Sequence, residues 1–162
     1  MKRKAWIIGA STGIGAAVAD ELTAKGWDVV RSSRSQGEIR IDVSSDDSVV
    51  EAANQYQTAH GAFDLVLVMA GFWQRMSAKQ FDLEVFKEHN NTNNVGLARC
   101  VAAVLPKMIA QNSGTLIGVS SVAGFRGLPG SSGYGPSKAA QINFLESLRT
   151  DLRDTKVIVQ TV

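Results

Sequence analysis

The stretch "IIGASTGIG", Ile7 to Gly15, joins a short apolar run to three glycines, Gly9, Gly13 and Gly15, in the pattern G-x-x-x-G-x-G. An alanine-rich segment, Ile14 to Ala24, follows and stops before Gly26, a natural helix end. This reads as a strand turning sharply into a helix. Glycine permits the turn and lets a pyrophosphate approach the backbone. The helix start offers free N–H groups and the positive end of a dipole. Ser11 and Thr12 add hydroxyl donors, and Ile14 belongs to the same phosphate-facing turn. A purely structural turn would use glycines too. Their place between the first strand and the first helix favours a nucleotide site.

Outward from this turn the chain alternates. Six apolar, β-branched runs stand out: "KAWIIGA", "WDVVRSS", "EIRIDV", "DLVLVMA", "GTLIGVSS" and "KVIVQTV". They are continuous rather than alternating, as strands of a parallel sheet buried on both faces are. Helical patterns lie between them. Ser44 is positioned to cap a helix whose first turn carries Asp46 and Asp47. Phe81 to Ile109 is a long helical segment, broken at "NNTNN" and again near Pro106. Tyr134 to Arg153 is the last, with Ile142, Leu145, Leu148 and Leu152 at helical spacing. The expected fold is a doubly wound parallel α/β sheet of the Rossmann type, strand order 3-2-1-4-5-6, in one domain spanning residues 1–162.

Bulk composition excludes several functions. The 162 residues are 44% hydrophobic and 20% charged, which suits a packed core. A formal charge of +2, from 17 basic and 15 acidic residues, gives no case for nucleic acid. No stretch approaches the roughly 18 apolar residues of a membrane span. Cys100 is the only cysteine, so there is no intrachain disulfide and no cysteine-based metal cluster. Two histidines are too few for a histidine-rich metal site. A cytoplasmic setting is the default expectation.

The end of the second strand usually meets the adenosine ribose, where an acidic residue would bind the 2′-hydroxyl of NAD. Here the chain reads "VVRSSRS". Arg34, with Arg31 and hydroxyls including Ser33, suits a 2′-phosphate, which a carboxylate would repel. NADP is therefore expected over NAD; a solvated basic loop is the alternative. Asp42, at the end of the third strand, is placed either to accept the adenine amino group or to begin a helix.

In "YGPSK", Tyr134 and Lys138 are four residues apart, so on one helix face. Pro136 is compatible with a helix start. A free phenol, with a pKa of about 10, is a poor base at neutral pH. A nearby ammonium and a cationic nicotinamide stabilise the phenolate, making it able to give or take a carbonyl proton. Alone, Y-x-x-x-K is a common accident. Ser121, in "GVSSVAG" after the fifth strand and thirteen residues before Tyr134, lies where strand ends and helix starts share one crevice.

Together, "GASTGIG", "SSVAG" and "YGPSK" resemble the short-chain dehydrogenase/reductase family in its compact single-domain branch, in order and along essentially the whole chain. "NNVG" resembles that family's N-x-x-G, implying Asn93 as a fourth catalytic residue. Asparagine is a weak helix former, and a local break there frees a carbonyl to hold a water that relays protons to Lys138. The resemblance implies Tyr134 as general acid/base. It implies that Lys138 assists Tyr134 and binds the nicotinamide ribose, and that Ser121 positions the substrate oxygen. It also implies a homodimer or homotetramer packed through the helices of Asn93 and Tyr134.

Three departures qualify it. "VMAG", Val68 to Gly71, keeps Ala70 and Gly71 in the cofactor crevice but lacks the two usual asparagines. Ile8 stands where threonine is usual. The chain stops at the sixth strand, where relatives continue with a substrate lid and a seventh strand, so a C-terminal truncation is expected. The expected reaction interconverts a small carbonyl and an alcohol. Phe72, Trp73, Phe125, Arg126 and Leu128 form either an apolar pocket or a subunit interface. The competing readings are a non-catalytic nucleotide-binding or scaffold protein, inactive without that C-terminal region, and, ranked low, a sugar-nucleotide epimerase or dehydratase.

Overall fold

A computed structural model describes residues 2–162. Six strands run in the order expected, β3-β2-β1-β4-β5-β6, every neighbouring pair parallel. They are β1 (Lys4–Ile8), β2 (Asp28–Ser33), β3 (Ile39–Arg40), β4 (Leu65–Val68), β5 (Gly114–Gly118) and β6 (Val157–Thr161). The helices are α1 (Gly13–Ala24), α2 (Asp46–His60), α3 (Leu83–His89), α4 (Gly96–Gln111) and α5 (Tyr134–Asp151).

The strand pattern explains the two layers. In β1 the side chains of Trp6 and Ile8 enter one core, with Val30, Val66, Val68 and Leu116 and with residues of α2, α4 and α5. Ala5 and Ile7 enter the other, with Leu65 and Leu67 and with Ala19 of α1. Both faces of the central strands are buried, which is why their sequences read as unbroken apolar runs. Trp6 stacks on Tyr56 and Phe63, while its indole N–H donates to Ser32 Oγ at 2.8 Å. The polar tip of this large core side chain is thereby satisfied.

Local chemistry corrects two expectations and gives the form of a third. The α2 cap is Ser45, not Ser44; its hydroxyl accepts from Ser48 N at 3.3 Å. Ser44 is held by Asp42 instead, through its N–H at 2.9 Å and its hydroxyl at 2.6 Å. The break at "NNTNN" is a π-helical turn, Asn90–Val95, inserted between α3 and α4. Helix α4 then runs unbroken through Pro106, where a second break was expected. Val104 and Met108 are fully buried on either side of it, and that packing outweighs the backbone bond proline lacks. Among the described residues no helix is long and apolar enough to cross a membrane.

Candidate active site

At the carboxyl ends of β1, β2 and β4 lies an open cleft of about 450 Å³. This is the crevice at the point where strand order reverses, on either side of β1. Its wall includes Gly9, Ser11, Thr12, Ile14 and Gly15 from the β1–α1 turn, with Ser33 and Arg34 after β2. Asp42 and the Ala70–Gly71 pair belong to the same wall; of the expected cofactor-binding residues, Gly13 sits in the turn without lining the cleft, and Tyr134 and Lys138 do not line it either. Phe72, expected in a pocket or an interface, lines it too, as do Glu88 and Thr92, which the sequence reading missed. The last two lie on consecutive turns, Thr92 Oγ1 donating to Glu88 Oε1 at 2.9 Å.

The turn is shaped by backbone proximity. Gly9 has φ +95°, and a Cβ there would lie 2.5 Å from Ala70 N. A Cβ on Gly15 would lie 2.2 Å from Gly9 O. Gly13 has φ +59° and open space around it, so its demand is conformational only. The missing asparagines of "VMAG" leave the strand end held by main chain: Met69 N and Ala70 N both donate to Ile8 O, at 2.7 and 3.0 Å.

The two arginines of "VVRSSRS" separate. Arg31 is committed to Asp20 on α1 at 2.6 Å. Arg34 is exposed and has no ion pair among the described residues. Ser33 closes its own turn, donating to Gln36 O at 2.6 Å and accepting from Gln36 N at 3.0 Å. The hydrogen bonds from Ser44 hold the Asp42 carboxyl below its usual range, with Arg34 and Arg99 adding smaller attraction. Asp42 is therefore an ionised helix-entry residue that also faces the cleft.

The four residues expected to carry chemistry lie around the first turns of α5. Lys138 Nζ sits 5.6 Å from the centre of the Tyr134 ring, buried, and donates to Val119 O at 2.8 Å and Gln141 Oε1 at 3.0 Å. The segment carrying Ser121 lies against this turn. Ser120 Oγ donates to Lys138 O at 2.9 Å, and Gly124 and Gly135 are glycines where backbone crosses backbone. Ser121 Oγ accepts from Ala123 N at 3.2 Å, capping a short 3-10 turn, Val122–Gly124.

Asn93 is fully buried in the π-helical turn. Its side chain braces the loop after β4, accepting from Phe72 N at 2.7 Å and donating to Phe72 O at 2.9 Å. It also donates to Ser137 Oγ at 2.9 Å, and Ser137 donates to Tyr134 O at 2.7 Å. The Asn93 carbonyl lies in this π-turn, where a break was expected to leave it for a water. Its partner, however, is Gln141 Nε2 at 2.6 Å, in the direction assigned to a water. Ser137 and Gln141 were missed in the sequence. Their signal was present: Tyr134, Ser137, Lys138 and Gln141 form a polar stripe at helical spacing on the face that Leu145 continues into the core.

His89 backs the tyrosine. It is fully buried, its ring edge-on to Tyr134 at 6.0 Å and 4.9 Å from Phe72. Val85 O can only accept and Gln74 N–H can only donate, so Nδ1 carries the proton and Nε2 accepts, at 2.8 and 3.1 Å.

The sequence profile of short chain dehydrogenases matches residues 3–162. This chain belongs to the short-chain dehydrogenase/reductase family. It is 35% identical over 177 aligned positions to an uncharacterized oxidoreductase of Myxococcus xanthus (strain DK1622), covering 99% of this chain and 70% of that protein. It is 30% identical to a probable NADP-dependent dehydrogenase of Haemophilus influenzae, covering 98% of this chain and 69% of the other. A short-chain dehydrogenase from Streptomyces avermitilis has the same fold, with a TM-score of 0.94 at 24% identity over 99% of this chain and 64% of its own. The chain thus spans about two thirds to 70% of these relatives.

Three ionisable groups in this family member are shifted by burial, one of them the Tyr56 phenol in the core, which is pushed above its usual range. The Cys100 thiol is pushed up to about 12, so it stays protonated and behaves as a small core side chain. The Lys138 ammonium is pushed down to about 8 from 10.5. Between these two values the unfolded chain binds a proton that the native state lacks, so stability rises with pH through that window. Below about 8 the full cost applies, roughly 3 kcal/mol for a shift of this size. The melting temperature of the native chain minus that of Lys138→Met should therefore climb from pH 8 toward 10.5. A flat difference would show that the ammonium is not held out of water.

Proposed function

We propose that this short-chain dehydrogenase/reductase interconverts a carbonyl and an alcohol by NADP-preferring hydride transfer, with Tyr134 as the general acid/base. The observation that carries this reading is the Lys138 ammonium, buried beside the Tyr134 ring on the helix start next to the glycine-turn cleft. When bound, the nicotinamide cofactor supplies or receives the hydride. Gly13, with open space where a Cβ would stand, and the N-terminus of α1 fit a pyrophosphate. Arg34, free of internal pairing, fits a 2′-phosphate, and the family relationship to an NADP-dependent dehydrogenase supports the preference.

Within the site, Tyr134 gives its proton to the carbonyl oxygen in reduction and takes it back in oxidation. The Lys138 ammonium favours the phenolate formed in the first direction, and its third N–H remains for a ribose hydroxyl. Ser121 Oγ already accepts one hydrogen bond, so its own O–H is available to orient the substrate oxygen. Asn93 keeps Ser137 and the loop after β4 in register with this turn. Phe72 on the cleft wall, with exposed Trp73 and Phe125 nearby in sequence to the site loops, suits an apolar substrate. Pairing of subunits through α4 and α5 is part of the same proposal.

Calorimetric titration with NADPH and then NADH tests the cofactor. Arg34→Ala should weaken NADPH binding about ten- to a hundredfold, the range of one or two charge-assisted hydrogen bonds, and leave NADH unchanged. Equal losses for both would remove the basis for an NADP preference.

A further inference from the structure

Gln141 is almost fully buried, and both ends of its carboxamide are used. Oε1 accepts from Lys138 Nζ at 3.0 Å, and Nε2 donates to the main-chain carbonyl of Asn93 at 2.6 Å. Lysine only donates and a carbonyl only accepts, so the amide has one admissible orientation. We propose that Gln141 is a positioning residue: its carboxamide is a strut between the π-helical turn and the Lys138 ammonium, and it sets how strongly that ammonium holds its proton. The proposal rests on the role given to Lys138 above.

The geometry leaves few other influences. From α5 itself the ammonium faces Tyr134; from the end of β5 it meets only the Val119 carbonyl. Across the site lie Gly71 and the uncharged Asn93 side chain, and His89 stands behind the tyrosine rather than beside the lysine. No carboxylate pairs with Lys138 among the described residues. One acceptor from a side chain and one from the backbone therefore carry the charge. A neutral carboxamide has no readily dissociable proton to pass on, so the link to Asn93 holds the ammonium without relaying protons.

The test reads Lys138 directly and needs no substrate. The 162-residue chain is labelled with lysine carrying ¹³C at Cε, and the Lys138 signal is assigned by its loss in Lys138→Arg. Its titration is then compared in wild type, Gln141→Met and Gln141→Glu. Methionine keeps length and volume but removes both hydrogen bonds; the midpoint should fall by about one unit, the size expected for a hydrogen bond to a charged group. Glutamate keeps the shape and adds an opposite charge; the midpoint should rise by at least about one unit. Coincident midpoints in all three proteins overturn the proposal. If Gln141→Met does not fold, the direction seen in Gln141→Glu decides. Failure to bind NADPH would count against the function proposed above and leave this titration unaffected, so the two can fail separately.

Discussion

Tyr134→Phe is expected to lower turnover of any carbonyl substrate by about 10²–10⁴-fold, the usual contribution of a general acid/base, and to leave NADPH binding within a few-fold of wild type. The variant deletes one oxygen. Tyr134 makes no side-chain hydrogen bond among the described residues, so that oxygen holds no structure together. The ring keeps its contacts with His89 and with the Lys138 ammonium. Helix α5 is fastened by other groups: Ser137 to Asn93, Gln141 to the Asn93 carbonyl and Ser120 to the Lys138 carbonyl. A fall in rate without a fall in melting temperature therefore isolates the proton-transfer role. The measurement is NADPH oxidation with a panel of ketones and aldehydes, first to find a substrate and then to compare the two proteins. Turnover that persists in Tyr134→Phe means that another group moves the proton and that the proposed mechanism is wrong.

Gly9→Ala should be among the most destabilising single-methyl changes in the chain. The new Cβ would stand 2.5 Å from Ala70 N and 2.8 Å from Met69 C, both backbone atoms of the strand end after β4. Neither can rotate away as a side chain would. Residue 9 also has φ +95°, outside the range comfortable for an L residue. Overpacking costs about 1–3 kcal/mol and the conformation adds roughly 1–2, so about 3 kcal/mol or more is expected. At this chain length that lowers the melting temperature by on the order of 10 °C. Gly13→Ala is the control: its φ is +59° and nothing lies near the added methyl, so only the smaller conformational cost applies. Equal melting temperatures for the two variants would show that strand β4 does not crowd the turn.

Much of this was legible in one dimension. The six strands, their order and the glycine turn follow from apolar runs and punctuating glycines, because a doubly wound sheet repeats one local unit. Tyr134 and Lys138 share a face because they lie one helical turn apart. The misses have a common physical origin. Ser44 and Ser45 are equivalent cap candidates by type, and only the bond from Ser44 to Asp42 separates them. Pro106 signals a break by its own chemistry, yet burial of Val104 and Met108 carries the helix through. Arg31 and Arg34 look alike in "VVRSSRS", and only Asp20, on another element, distinguishes them.

The sequence by itself determined the element order, the sheet topology and the identity of the candidate chemical groups. Those depend on periodicity, turn residues and spacing within a few positions, all of which are local. Only the tertiary structure decided what surrounds each group. The Asn93 carbonyl and the Gln141 amide are 48 residues apart, and Asn93 and Phe72 are 21 apart. No local rule pairs them. They meet because packing of α5 against the π-helical turn puts a carboxamide within reach of a carbonyl that accepts its N–H.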